Sequence, residues 1–170
     1  MKPVDFEEAY SILEASFPES ERRVYAEQKA LLAYPNYRLC GECDELGRVT
    51  AVLAAWEFPA FCFVEHLATR PDQRGSGLGG ELMSAYLQEC RRPVVLEVEL
   101  PNGPLEQRRI GFYERLGFRM NLFGYTQPPL REGQEDLPLR MMSYPDPLNP
   151  EDFLHIREVL YRQVYRISLP

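Results

Sequence analysis

The strongest structural signal in the chain is the stretch Arg74-Gly75-Ser76-Gly77-Leu78-Gly79-Gly80. Four of its last six residues are glycines. Glycine adopts positive φ angles at little cost, so successive N–H groups can point into one concavity at a helix N-terminus, where an anion is favoured. An apolar, strand-like segment precedes the stretch, and a helix-like pattern follows it. The stretch therefore predicts a phosphate-binding loop for a nucleotide-derived cofactor.

Two well-known phosphate loops can be compared with this stretch. A Walker A loop is excluded, because it needs Lys followed by Ser or Thr where this chain has Glu81. A dinucleotide fingerprint fits Gly75, Gly77 and Gly80, with Glu97 about 20 residues further on. However, six residues separate the loop from its strand, and the rest of the chain is short for such an enzyme. A Rossmann-type NAD(P)-binding oxidoreductase stays open as an alternative.

Two short patterns occur in a fixed order, Arg-x-x-Gly-x-Gly in the loop and Tyr-x-x-x-Gly-Phe after it. They lie at Arg74, Gly77 and Gly79, and at Tyr113, Gly117 and Phe118. Together with a helix-helix-strand lead-in, they resemble the GNAT superfamily of acyl-CoA-dependent N-acetyltransferases. The resemblance follows the order of elements from about residue 6 to residue 143, with specific motifs between residues 64 and 118.

Hydrophobic periodicity and turn residues predict the individual elements. We expect helices over about 6–17, 20–33, 104–116 and 151–166, a helix from residue 78, and strands over 38–42, 48–56, 61–67, 93–100, 118–125 and 137–143. The resemblance implies a mixed α/β fold with a mostly antiparallel, centrally splayed sheet flanked by helices. We expect a single domain over 1–170, with a core over about 5–143 and an extra C-terminal helix within 148–168.

The C-terminal helix carries an apolar stripe formed by Phe153, Ile156, Leu160 and Val164. The sequence leaves three roles open for it: covering the sheet edge, packing on an acceptor site, or forming a homodimer contact.

The resemblance implies that acetyl-CoA is the cosubstrate and that no metal is required. Its predicted binding residues lie in the strand before the loop, in the loop itself and at the start of a later helix. They are Leu67, Ala68, Thr69, Arg74, Gly75, Ser76, Gly77, Leu78, Gly79 and Asn102.

The implied chemistry is direct attack of a primary amine on a thioester, which needs a base because a protonated alkylamine has a pKa near 10. Glu65 is the first candidate, since strand alternation places it on the face of Leu67, and His66 on the other face is a minor alternative. Glu97 and Glu99 are further carboxylates for relaying a proton or binding a cationic amine, and a solvated strand face is an equal alternative for the two. The resemblance assigns Tyr113 as the acid that protonates the departing thiolate.

The acceptor is expected to be a small-molecule or peptide amine, which suits a chain of net charge −7. Nucleic acid is a poor partner for such a chain, because it requires a basic face. Arg22 and Arg23 are expected to be surface arginines, with the binding of a carboxylate or phosphate on the acceptor as the alternative. A non-catalytic acyl-CoA sensor is a second alternative, since the loop alone does not establish turnover.

The remaining features favour an ordinary intracellular enzyme. The first residues lack a signal-peptide pattern and no apolar stretch is long enough to span a bilayer, so we expect a cytoplasmic protein without a membrane partner. Cys40, Cys43, Cys62 and Cys90 are expected to be reduced, structural thiols.

Overall fold

The computed structural model describes residues 1–167 of the 170. Its contacts divide the chain into two compact units, Met1–Arg92 and Pro93–Pro170. Both units combine helices with antiparallel strands, which confirms the predicted mixed α/β class. Within the described residues, no helix is both long and apolar enough to cross a bilayer.

The first unit, described in full, contains four strands and three α-helices. They are β1 (Lys2–Pro3), α1 (Phe6–Glu14), α2 (Tyr25–Ala30), β2 (Tyr37–Cys43), β3 (Val49–Glu57), β4 (Cys62–Thr69) and α3 (Leu78–Glu89). Within this unit β1, β2, β3 and β4 pair in sequence order, each antiparallel to the next.

Strand β3 lies at the centre of this unit. Its residues are buried from Val49 to Trp56, so helices must cover both of its faces. Ile12 and Leu13 of α1 pack with Val52 on one face of β3. Helix α3 is a second helix that packs on β3. The strands on either side of β3 are thereby held in a fixed register, including β4, which leads into the glycine loop.

The second unit, described as far as residue 167, contains three strands and two α-helices. They are β5 (Val94–Glu99), α4 (Pro104–Arg115), β6 (Arg119–Gln127), β7 (Leu137–Tyr144) and α5 (Pro150–Val159). Strand β7 lies between β5 and β6 and pairs antiparallel with both. Helix α5 continues into a π-helical turn, Leu160–Val164.

The predicted start and end of α4 are confirmed. Pro104 occupies the first turn, where its missing N–H costs nothing. The helix ends before Gly117, whose φ of 95° is a left-handed conformation that favours glycine. The predicted apolar stripe of the C-terminal helix is also confirmed, since all four of its residues are buried.

One predicted element differs from the structure, and one element of the structure was not predicted. The second helix, expected over residues 20–33, is an α-helix only over Tyr25–Ala30, with short 3-10 turns at Glu19–Glu21 and Leu31–Ala33. Its N-cap residue is Val24, which makes no side-chain hydrogen bond to the first N–H groups of the helix. Residues that make such bonds stabilise the start of a helix, and this helix lacks one. Strand β1 was not predicted, because two residues are too few to carry a periodic pattern. Ser168, the last residue of the predicted C-terminal extension, lies outside the described residues.

Candidate active site

The glycine loop has the backbone conformation that its sequence predicts. Gly75 and Gly77 have φ angles of 80° and 93°, and Gly77 is the N-cap of α3, which begins at Leu78. The four residues from Arg74 to Gly77 are exposed. The first N–H groups of a helix have no acceptor within it, so the start of α3 can offer backbone donors to an anion.

The polar side chains of the loop are engaged within the first unit. Arg74 Nη2 donates to the carbonyl of Ala15 at 2.9 Å and to Ser16 Oγ at 3.2 Å. Ala15 is the C-cap of α1, where a cation is favoured by the helix dipole. Ser76 Oγ donates to the Gln73 carbonyl at 2.6 Å. These contacts fix the loop against the end of α1.

Leu67, Ala68 and Thr69 end β4, and a short 3-10 turn, Pro71–Gln73, connects them to the loop. In the β3–β4 ladder these residues are the partners of Leu53, Val52 and Ala51. This pairing holds the predicted pantetheine-binding segment in a defined extended conformation.

Strand β4 has a β-bulge at Glu65. The register shifts there, because the adjacent residues Ala54 and Ala55 of β3 pair with His66 and Val64. A bulge interrupts the alternation of side chains between the two faces of a sheet. Glu65 accepts a hydrogen bond from Trp56 Nε1 at 3.4 Å, and strand alternation places Trp56 on the face of Ala54, whose partner is His66. The prediction that Glu65 shares the face of Leu67, opposite to His66, is therefore wrong.

Glu65 forms a buried ion pair with Arg23. Its carboxylate accepts a short hydrogen bond from Arg23 Nη1, and the two side chains are only 4% and 7% exposed. Burial raises the pKa of Glu65, but the charge of Arg23 and the hydrogen bonds from Arg23 and Trp56 outweigh burial and hold this pKa below its usual value. The Glu65 side chain is therefore ionised at neutral pH.

Arg23 was expected on the surface, and that expectation is wrong. The residue is buried at 6% exposure, because Glu65 compensates its charge. Arg22 contacts Glu14 at 3.2 Å and the Tyr10 hydroxyl at 3.3 Å. Nothing in the sequence distinguishes the two neighbouring arginines, because the bulge that turns Glu65 toward Arg23 has no sequence signal.

His66 is a buried, hydrogen-bonded side chain. Its Nε2 lies 2.9 Å from the carbonyl oxygen of Glu21, so this nitrogen carries the proton. Its Nδ1 lies 3.9 Å from a Glu65 oxygen. Burial lowers the pKa of His66 and outweighs the opposing effect of Glu65, so the ring is neutral at pH 7.

Tyr113, in the second unit, lies in an aromatic cluster. Its ring centroid is 5.1 Å from that of Phe112 and 5.7 Å from that of Phe118. Burial raises the pKa of Tyr113 to about 12, although the charge of Arg109 opposes the shift. Its hydroxyl therefore stays protonated at neutral pH. Asn102, the other predicted site residue of this unit, is exposed just before α4.

Glu97 lies within a group of tyrosines. Tyr165 donates to both carboxylate oxygens, at 2.8 and 2.7 Å, and Tyr125 donates a short hydrogen bond to one of them. Tyr161 packs against both tyrosines, with ring centroids 6.1 Å and 6.4 Å away. Glu99, on the same strand, is paired with Arg109. We call the group of Glu97, Tyr125, Tyr161 and Tyr165 the tyrosine cluster.

Sequence reasoning found Glu97 but not the tyrosines around it. Tyr161 and Tyr165 follow the end of α5, in and just after its π-helical turn, and a stripe pattern of ordinary helical spacing does not reveal where such side chains point. No group of three or more His, Cys, Asp or Glu side chains within residues 1–167 could hold a metal ion.

The chain matches the model of the acetyltransferase (GNAT) family over residues 6–118. This range contains both motifs, and it is well over half of the 170 residues. The chain belongs to the GNAT family. The resemblance drawn from the two motifs is therefore confirmed.

Three relatives illustrate where this GNAT protein stands. YjbC of Bacillus subtilis (strain 168), provisionally named an acetyltransferase, is 29% identical over 121 residues, which are 67% of this chain and 60% of YjbC. The chain thus matches less than two thirds of that relative's length. A protein of Bacteroides thetaiotaomicron, provisionally named an acetyltransferase of the GNAT family, has a solved structure with a TM-score of 0.90 and 31% identity, with 98% of both chains covered.

A more distant solved structure has the same fold. It is a phosphinothricin acetyltransferase of Sinorhizobium meliloti in complex with AcCoA, with a TM-score of 0.59, 18% identity and 88% and 89% of the two chains covered. Together with the family match, these structures set the Rossmann-type alternative aside.

Replacing Glu65 by Gln is expected to lower the free energy of unfolding at neutral pH by about 3–5 kcal/mol, because it breaks the buried ion pair with Arg23. The contribution of a carboxylate with a lowered pKa is present above its unfolded-state pKa of about 4.3 and is lost as the pH falls through its folded-state pKa. The difference between wild type and Glu65→Gln should therefore shrink below about pH 4.3. Urea unfolding between neutral and acidic pH measures it.

Glu158→Gln is the control for this experiment. Glu158 pairs with Arg162 at 2.9 Å, and both side chains are largely exposed, so the change should cost at most about 0.5 kcal/mol. A Glu65→Gln effect as small as that of the control, or one that does not vary with pH, would contradict the buried ion pair.

Proposed function

We propose that this GNAT protein is an N-acetyltransferase that transfers an acetyl group from acetyl-CoA to a primary amine by direct attack. The observation that carries the proposal is the exposed loop with two positive-φ glycines at the start of α3. Such a loop presents backbone donors to an anion, and the pyrophosphate of CoA is an anion of the right kind.

The residues proposed to hold acetyl-CoA are those predicted from the two motifs. The loop from Arg74 to Gly79 would bind the pyrophosphate, and the backbone of Leu67 to Thr69 would bind the pantetheine arm. Asn102 is proposed as a further contact. When bound, acetyl-CoA supplies the thioester whose acetyl group is transferred. The complex of the Sinorhizobium meliloti relative with AcCoA supports this choice of cosubstrate.

Gly75→Ala is expected to weaken acetyl-CoA binding by at least about tenfold, the equivalent of one lost hydrogen bond to a charged group. The added methyl group strains a backbone with a φ of 80° and displaces the donors of the loop. Isothermal titration calorimetry and the rise in melting temperature on adding acetyl-CoA both report this loss.

Gly47→Ala is a closely matched control. Gly47 also has a φ of 80° with nothing within 4 Å of an added Cβ, but it lies in the β2–β3 hairpin. Both changes should cost a similar stability, about 1–2 kcal/mol, while only Gly75→Ala affects binding. Stabilisation of the wild type by NAD or NADP and not by CoA compounds would refute the proposed cosubstrate. Binding of acetyl-CoA without turnover of any amine would favour the acyl-CoA sensor.

Glu65 remains the proposed base for the acceptor amine. Its carboxylate is ionised at neutral pH and can accept a proton. However, Arg23 weakens it as a base, because protonation gives up the ion pair. The bulge places Glu65 next to His66, whose unprotonated Nδ1 faces the same carboxylate. We therefore propose that protonation of Glu65 and protonation of His66 influence each other.

Tyr113 is proposed to protonate the thiolate that leaves. A hydroxyl with a pKa of about 12 holds its proton at neutral pH. A thiolate leaves without obligatory help, since its thiol has a pKa of about 8.5. The contribution of Tyr113 should therefore lie at the lower end of acid–base catalysis.

Tyr113→Phe is expected to lower kcat by about 10- to 100-fold without changing the affinity for acetyl-CoA. Steady-state kinetics with a separate binding titration distinguishes the two. Tyr144→Phe serves as the control, because Tyr144 packs on Phe118 in the same cluster with centroids 5.6 Å apart. Equal losses in both variants would indicate disturbed packing instead of lost acid catalysis.

The acceptor is proposed to be a cationic amine bound at the tyrosine cluster. Glu97 supplies a negative charge, and the half-buried rings of Tyr161 and Tyr165 offer π faces of the kind on which ammonium groups bind. The buried Tyr125 holds the Glu97 carboxylate in place. Two of these tyrosines come from the C-terminal segment, so this proposal assigns that segment to the acceptor site.

Glu97→Gln should raise the KM for a short aliphatic diamine such as 1,4-diaminobutane by about tenfold or more, since it removes a charge-assisted contact. The KM for acetyl-CoA should stay unchanged. Glu99→Gln is the matched control on the same strand, because its carboxylate is paired with Arg109. Initial rates with both substrates varied give these constants, and an unchanged KM for the amine would refute the acceptor site.

A further inference from the structure

Two thiols that are distant in sequence meet in the first unit. Cys62, the first residue of β4, and Cys90, the C-cap of α3, lie 28 positions apart, and their sulfur atoms are 2.8 Å apart. Both are free cysteines. This contact joins the two ends of the segment that contains β4, the glycine loop and α3.

The two sulfurs differ in their access to solvent. Cys62 is fully buried, whereas Cys90 is half-buried. Cys90 Sγ also lies 3.8 Å from the carbonyl of Arg92, and the Arg92 guanidinium is fixed nearby by Phe58 and Glu57. A reagent in solution can therefore reach Cys90, and Cys62 is placed to react with whatever forms there.

We propose that Cys62 and Cys90 form a redox-active dithiol that low-molecular-weight disulfides such as glutathione disulfide convert to an intramolecular disulfide. This modification site is independent of acetyl transfer. The other two cysteines do not share the arrangement, because Cys40 donates to the Leu53 carbonyl at 3.6 Å and Cys43 is exposed.

The reaction balances in two exchange steps. The thiolate of Cys90 attacks one sulfur of glutathione disulfide, forming a mixed disulfide and releasing one glutathione thiolate, which takes up the Cys90 proton from solution. Cys62 then loses its proton and attacks the Cys90 sulfur, releasing the second glutathione. Two protein thiols are oxidised and one glutathione disulfide is reduced to two glutathione molecules.

The second step should be the slower one. Burial raises the pKa of Cys62 to about 12, and the hydrogen bond with Cys90 adds to the shift. The attacking thiolate is therefore scarce until the mixed disulfide has formed and removed the Cys90 thiol. Cys62 stays protonated and inert in the reduced protein.

Peptide mapping of the oxidised, full-length protein tests the proposal. Trypsin divides the four cysteines among three peptides: residues 49–74 contain Cys62, residues 75–91 contain Cys90, and residues 39–48 contain both Cys40 and Cys43. The folded, reduced protein is incubated with excess glutathione disulfide, its remaining thiols are blocked with N-ethylmaleimide, and the digest is analysed without reduction. We expect peptide 49–74 to be linked to peptide 75–91. Peptide 39–48 should stay outside that link, and its exposed Cys43 should carry at most a glutathione adduct of its own.

Two variants separate the steps. Cys43→Ser should leave the cross-link intact, whereas Cys62→Ser should stop at a glutathione adduct on Cys90. The wild-type protein in concentrated urea provides a test that does not depend on the folding of any variant. There the cross-link should lose its selectivity, because the pairing depends on the fold.

Three results would overturn the proposal. The first is a stable glutathione adduct on Cys90 of the wild type without a link to Cys62. The second is a cross-link that involves peptide 39–48 in the folded protein. The third is a link between Cys62 and Cys90 that forms as selectively in urea as in the folded protein.

Discussion

Arg23 and Glu65 lie where water cannot solvate either charge, and each is held there by the other. Removing one partner of such a pair costs far more than an exposed pair contributes, because the remaining charge is left unsolvated. Arg23 belongs to the connection between α1 and α2, and Glu65 belongs to β4. The ion pair thus fixes an otherwise irregular connection against the strand that leads into the glycine loop. The hydrogen bond between His66 and the Glu21 carbonyl holds the same connection from the neighbouring residue.

The bulge at Glu65 makes this arrangement possible. In a regular strand, Glu65 and His66 would point to opposite faces, and only one of them could meet the connection. The irregularity in the β3–β4 ladder turns both toward it. The same irregularity ends before Leu67, so the segment that enters the glycine loop keeps its regular pairing with β3. A local distortion and a regular ladder lie side by side in one strand.

Much of the fold could be predicted from the sequence, because its signals are local. The glycines of the loop, Pro104 and Gly117 each restrict the backbone at their own positions, and the structure has the expected conformation at each. The stripe from Phe153 to Val164 is buried as its spacing predicts. These features depend on neighbours within a few residues along the chain.

The surroundings of the candidate catalytic residues could not be predicted in the same way, because they depend on contacts between distant residues. Arg23 and Glu65 are 42 positions apart, and Tyr165 and Glu97 are 68 positions apart. A β-bulge has no characteristic amino-acid pattern in the sequence, so the pairing of Glu65 with Arg23 was not predicted. The sequence places Glu97 on a strand and Tyr113 on a helix, as the structure does, but it could not supply the burial that raises the pKa of Tyr113.

The π-helical turn after α5 has a consequence for how the chain can vary. Its backbone bond from Tyr165 to Leu160 spans five residues, one more than an α-helix uses. Deleting any one residue of this turn would restore α-helical spacing and rotate everything beyond it by about 100°, one residue's share of a helical turn. Tyr165 would then leave Glu97. Homologues that retain this contact should keep the length of the turn unchanged and accept substitutions only at its exposed positions, Arg162 and Gln163.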